Sequence, residues 1–182
     1  MTTSSANPDT GRATVLCLEL ADAEDALGPV RADHNAPSVA RGIPLHLTLL
    51  HPFLPRSECD AGVAGRIQRT CSRHGALSFS LASVALSSRG QVAVLAEPSA
   101  GIRALMDALE REFPGAEILG REAPFTAVGR ALESEDDPTV FERIRARVVP
   151  LLPIRCDVDS VALFEEVMPG TWRATRRFSL DR

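Results

Sequence analysis

The chain has no lysine and no tyrosine, so its twenty basic residues are all arginine. A lysine Schiff base, a lysine general base, a phosphate-loop lysine and a tyrosine acid are thereby excluded. Proton transfer is left to four histidines, the carboxylates and four cysteines. Cys17, Cys59, Cys71 and Cys156 form no C-x-x-C pair, and three of them fall on expected core faces, where a free thiol behaves as a small hydrophobe. No apolar run approaches the ~20 residues needed to span a bilayer. Residues 1–12 are rich in Ser, Thr, Asn and Pro and hold no apolar signal core, so they read as a disordered lead-in. These absences point to a cytoplasmic location with reduced thiols. The net charge of −4 gives no basic face for a long nucleic acid, and leaves a small molecule or short nucleotide held in a local arginine pocket.

What is present is a plan read twice. Residues 13–20 alternate as a first strand, and residues 21–43 read as a short helix near 23–27 followed by a long approach loop. Leu45 to Leu50 forms a strand ended by Pro52 and Pro55. Ser57 followed by Asp60 resembles a capping box opening a helix to about His74, with Val63, Ile67 and Cys71 inward and Gly75 at its end. Residues 77–86 and 91–96 read as a hairpin turning at Arg89-Gly90.

The second half follows suit. Ser99 heads a helix with Ile102, Leu105, Met106, Leu109 and Phe113 at helical spacing. A strand spans 125–132, a helix starts at Asp137-Pro138 and carries Phe141, Ile144 and Val148, and two long strands cover 154–167 and 172–180, turning at Pro169-Gly170. His46 and Phe125 lie 79 positions apart, Ser83-Val84-Ala85-Leu86 returns 77 positions later as Ser160-Val161-Ala162-Leu163, and Gly90 precedes Gly170 by 80. Three landmarks in order at nearly one offset indicate duplication. The expected fold is α+β: residues 13–182 form one bilobal unit, with antiparallel sheets around a central cleft and helices outside. The motif strands near 45–50 and 125–130 face each other across that cleft, and a monomer is expected.

In a strand, residues two apart share a face, so His46 and Thr48 point together. A titratable imidazole beside a hydroxyl suits an oxyanion, with one group able to move a proton. The equivalent positions downstream are Phe125 and Ala127, which can do neither. Phe125 and Ala127 therefore make an apolar wall, and the ligand that fits has a polar end at His46 and Thr48 and an apolar part near Phe125. His34 in the approach loop, His51 at the strand end, and Arg130, which flanks the altered motif with Glu122, complete the substrate-binding candidates. His51 is of opposite parity to His46, so the two cannot easily chelate a metal, and neither a metal nor a cofactor is expected.

The stretch from Gly42 to Phe53, with His46-Leu47-Thr48 at its centre, resembles the first signature of the two-histidine (2H) phosphoesterase superfamily, in its 2′-5′ RNA ligase-like branch. The ending from Ser160 to Leu163, Trp172 and Phe178 to Leu180 is similar to that branch's closing hairpin. The resemblance implies a bilobal cleft with two facing His-x-Thr or His-x-Ser motifs, one His serving as base and one as acid, and hydroxyls holding phosphate. It implies metal-independent action on cyclic phosphates or 2′-5′ diesters, with His46 and Thr48 as catalytic and phosphate-holding residues. The second motif is not matched. The expectation is a divergent enzyme with a single cleft His acting on a small, partly apolar substrate that can carry a phosphate. The alternatives are a weak cyclic phosphodiesterase or 2′-5′ RNA ligase-like hydrolase, or a non-catalytic protein that binds a nucleotide or small ligand.

Overall fold

The computed structural model of the chain describes residues 13–115, 120–121, 123–131 and 139–181. The expected lead-in over 1–12, the Asp137-Pro138 helix start and Glu122 lie outside the described residues. Among the described residues, eight antiparallel strands form one sheet in the order β6-β3-β4-β5-β2-β1-β7-β8. In chain order the elements are β1 (Thr14–Glu19), α1 (Ala21–His34), α2 (Ala36–Ala40), β2 (His46–Leu50), α3 (Ala61–Cys71), β3 (Leu77–Leu86), β4 (Gln91–Glu97), α4 (Ala100–Glu112), β5 (Phe125–Arg130), α5 (Thr139–Val148), β6 (Ile154–Val158), β7 (Ser160–Met168) and β8 (Thr171–Ser179).

Strand parity sorts the side chains. Leu47 and Leu49 of β2, Leu16 and Leu18 of β1, and Val92 and Val94 of β4 enter the main core with Leu27 of α1, Ile67 of α3, Leu105 and Met106 of α4 and Ile144 of α5. Val15, Cys17, Ala162 and Phe164 make a smaller cluster with Trp172 and Ala174. Alternation places that cluster on the sheet face turned away from the main core, the face shared by His46 and Thr48. Among the described residues, no helix is long and apolar enough to cross a membrane.

Strand pairing makes the duplication visible. β1 pairs with β2 as Leu16–Leu50, then Cys17–Thr48, Leu18–Leu47 and Glu19–His46. β4 pairs with β5 as Val92–Gly129, then Ala93–Ala127, Val94–Thr126 and Leu95–Phe125. The same bulge, passing over Leu49 in one ladder and Val128 in the other, recurs at the same place. Leu163 pairs with Leu16 and Leu86 with Val92, so the Ser-Val-Ala-Leu repeat is in structural register. The Gly90–Gly170 spacing is different in kind. Both glycines hold a positive φ in a turn, but β3 turns inward to β4 while β7 turns outward to β8. The halves β6-β3-β4-β5 and β2-β1-β7-β8 meet where Leu47 opposes Thr126.

Three local expectations are corrected. The approach loop is mostly helix, because Ala23, Leu27 and Val30 recur at spacings of four and three and bury against the sheet despite Pro29 inside α1. Ser57 lies in a 3₁₀ turn over Arg56–Glu58, and Asp60 is the cap of α3, its Oδ1 accepting from the Val63 amide at 2.8 Å. The strand expected over 154–167 is two strands, β6 beside β3 and β7 between β1 and β8.

Candidate functional site

Continuing the Leu47–Thr126 register one residue each way sets Thr48 across from Phe125 and His46 across from Ala127. All four side chains border one small cavity of about 100 Å³. Arg31 and Asn35 from the end of α1, Ser38 from α2 and Gln91 from β4 complete its lining. A larger groove of about 490 Å³ opens from the same wall, bordered by the β3–β4 turn, Ala93, Leu95, Ala123 and Phe125. Gln91 and Phe125 line both spaces, so the cavity and the groove are neighbours along this wall.

His46 is oriented by its own chain. Its Nδ1 lies 2.8 Å from the Pro44 carbonyl oxygen. A carbonyl can only accept, so Nδ1 carries the proton and Nε2 keeps its lone pair. Burial pushes the imidazole below its ordinary range; the bond to Pro44 opposes this, and the Arg31 guanidinium reinforces it. The ring is therefore neutral near pH 7, a base and not an acid.

The segment entering β2 is fixed from α1. Arg31 Nη2 donates to the Ile43 carbonyl at 2.6 Å, and Glu24 Oε2 accepts from the Leu45 amide at 2.9 Å. These contacts bracket Pro44, whose carbonyl sets the imidazole tautomer. Arg31 is only 3% exposed, and burial lowers its pKa against the pull of Glu24. Sequence reasoning passed over Arg31, Asn35, Ser38 and Gln91. An arginine in a polar stretch looks solvated until the helix that buries it is recognised.

The other candidates, His34, His51 and Arg130, are not among the residues that line this cavity. His34 ends α1 with its ring nitrogen 3.2 Å from Arg147 on α5, a contact that pairs the two elements. His51 stacks edge-on to Trp172, with ring centroids 6.3 Å apart. Arg130 is exposed at the end of β5, opposite Gln91. Among the described residues, no group of three or more His, Cys, Asp or Glu is gathered where it could hold a metal.

The asymmetry of the two walls runs deeper than the motif. The register equates Glu19 with Leu95 and Cys17 with Ala93, as it equates His46 with Phe125 and Thr48 with Ala127. One wall thus carries Glu19, His46 and Thr48, and its counterpart carries Leu95, Phe125 and Ala127. Phe125 is held from behind by Gly120, where an added Cβ would stand 2.8 Å from the ring and where φ is +70°.

A family model described as the 2′-5′ RNA ligase superfamily matches residues 19–167. The fold is similar to that of E. coli LigT complexed with NADP+, with a TM-score of 0.61 at 18% identity, covering 94% of this chain and 98% of that one. E. coli LigT complexed with 3′-AMP gives a TM-score of 0.59 at 18% identity, covering 94% and 99%. A structure described as a phosphoesterase gives 0.58 at 18% identity, also covering 94% and 99%. At such identity the likeness is one of fold. No curated protein matches the sequence.

Proposed function

Because the chain belongs to the 2′-5′ RNA ligase superfamily, the 2H phosphoesterases, we propose that it is a one-base phosphoesterase whose substrate places a phosphoryl group in the His46 cavity and an apolar group along Phe125. The observation that carries this reading is the His46 imidazole, its Nδ1 held by the Pro44 carbonyl, in a cavity whose facing wall is Phe125 and Ala127. Nε2 takes the proton from an attacking water or substrate hydroxyl, and the oxygen attacks phosphorus. Thr48 Oγ1 donates to a phosphoryl oxygen as negative charge gathers there. The small cavity admits little beyond the phosphoryl group, so the remainder of the substrate passes Gln91 and Phe125 into the groove.

The missing acid decides which esters react well. A leaving alkoxide needs a proton that Phe125 and Ala127 cannot give, whereas an aryl oxide departs without one. The relatives bound to NADP+ and 3′-AMP make nucleotide-like ligands a natural starting set. The test is hydrolysis of bis(4-nitrophenyl) phosphate and of 2′,3′-cyclic AMP by the wild type and by His46→Ala. The expected result is faster turnover of the aryl ester, falling ~10²–10⁴-fold in the variant. Equal turnover in both proteins refutes the assignment of the base. Tight binding of a ligand with no turnover of either ester favours a receptor, the role that the apolar facing wall would also allow.

A further inference from the structure

We propose that the groove beside the His46 cavity takes an uncharged hydrocarbon group, so that the alcohol half of the substrate is a hydrocarbon alcohol and not a nucleoside. The internal duplication supplies the comparison. In the first half, Arg177 of β8 stands opposite Ala162 of β7 and reaches Glu19 of β1, its Nε donating to Oε2 at 2.7 Å. An ion pair therefore lies along the sheet face there. In the second half the register puts Leu95 in place of Glu19 and Ala85 in place of Ala162. The outer strand β6 pairs with β3 over Leu77–Leu81 and stops short of Ala85, so among the described residues no counterpart of Arg177 follows. The groove of about 490 Å³ occupies this ground, and its size falls within the ~300–1,000 Å³ usual for small-molecule sites.

The lining matches an apolar occupant. Ala85 and Ala93 are cross-strand partners, and so are Leu95 and Phe125; all four border the groove. None of these side chains can hydrogen-bond, so the polar edge of a nucleobase laid on them gives up water and gains no partner. A hydrocarbon has no such edge, and burying it is favourable. The charge at the border is two arginines. Arg121 is paired with both Asp107 and Glu110, and Arg89 is exposed on the β3–β4 turn. The Ser87 hydroxyl already accepts from the Gln91 amide at 3.0 Å. The inference rests on the phosphoester reading for the polar half of the ligand, not for what the groove holds.

The probes are methyl alkyl phosphates with ethyl, butyl, hexyl and octyl chains, which share one head group and one charge. Their affinities are measured by titration calorimetry on the wild type, Leu95→Gln and Ala85→Phe. Each added methylene should tighten wild-type binding about two- to fourfold until the groove is filled, the upper figure being the ~0.8 kcal/mol of a fully buried methylene. Leu95→Gln should flatten the rise, and Ala85→Phe, which sets a ring in the groove, should end it at a shorter chain. A wild-type affinity that stays level from ethyl to octyl overturns the proposal, whether or not the variants fold. So do folded variants that both leave the rise as it was. Tighter binding of the methyl ester of 3′-AMP than of the octyl ester makes the groove a nucleoside site, and tighter binding of a hexyl chain ending in a carboxylate than of plain hexyl makes it an anion site; either result overturns the proposal. Turnover of the same esters by the wild type and His46→Ala separates this inference from the one before it. A chain-length rise with no turnover in either protein removes the base and leaves the groove standing, and His46-dependent turnover with no rise does the reverse.

Discussion

Restoring the absent half of the motif is the perturbation with the largest expected gain. In the double variant Phe125→His, Ala127→Thr, the strand register sets position 125 beside Thr48 and diagonal to His46. Directly opposed Cβ atoms in an antiparallel pair lie ~4.5–5.5 Å apart and diagonal ones ~7–8 Å apart. Two imidazoles on that diagonal leave room for a phosphoryl group between them, with one to accept a proton and one to give it. A positioned general acid contributes ~10²–10⁴-fold, or about 2.7–5.5 kcal/mol of barrier at 1.36 kcal/mol per decade. The cost to stability is small, since Phe125 is only partly buried and threonine suits a strand. The assay is hydrolysis of 2′,3′-cyclic AMP, whose alkoxide leaving group needs the acid, beside bis(4-nitrophenyl) phosphate, whose leaving group does not. The gain should fall on the cyclic nucleotide and scarcely on the aryl ester, and Ala127→Thr alone should supply little of it. A folded double variant with no gain on the cyclic nucleotide would refute the facing geometry. Equal gains on both substrates would refute the argument from the leaving group.

Two further outcomes follow from the packing. Gly120→Ala sets a methyl group against the Phe125 ring at a positive φ, so it should lower stability by about 1 kcal/mol or more and weaken binding of aryl ligands, read by thermal melts and calorimetry. Arg56→Met removes the 2.9 Å ion pair of the largely buried Glu165, which keeps the 2.8 Å hydrogen bond from Thr175. Because the Arg56 side chain is 33% exposed, the loss is discounted to about 1–2 kcal/mol and appears as a lower urea midpoint with an unchanged slope.

The elements legible in the sequence were those whose period is strong. The β3–β4 hairpin emerges where alternation and Gly90 place it, and the inward stripe of α4 from Ile102 to Leu109 is fully buried. The α1 helix was hidden because Gly28 and Pro29 stand in its middle and its apolar stripe is narrow, so that local propensity argued for a loop while burial of Leu27 and Val30 decided for helix. That one miss concealed Arg31, Asn35 and Ser38, which α1 and α2 carry into the cavity. The break between β6 and β7 at Asp159 was hidden for a different reason: no glycine or proline marks it, and the change of partner strand from β3 to β1 is a long-range event. His34 stands in a stretch whose composition reads as a loop, and the helix carries it to Arg147.

The pH dependence of kcat/KM for an aryl phosphodiester tests the one-base claim most directly. His46 is held below its ordinary value of 6.5, chiefly by burial, and only its neutral form accepts a proton. Activity should therefore rise along a single limb with a midpoint under 6.5 and stay level through alkaline pH. A bell-shaped profile, with a falling limb reporting a second essential group in its protonated form, would contradict the account.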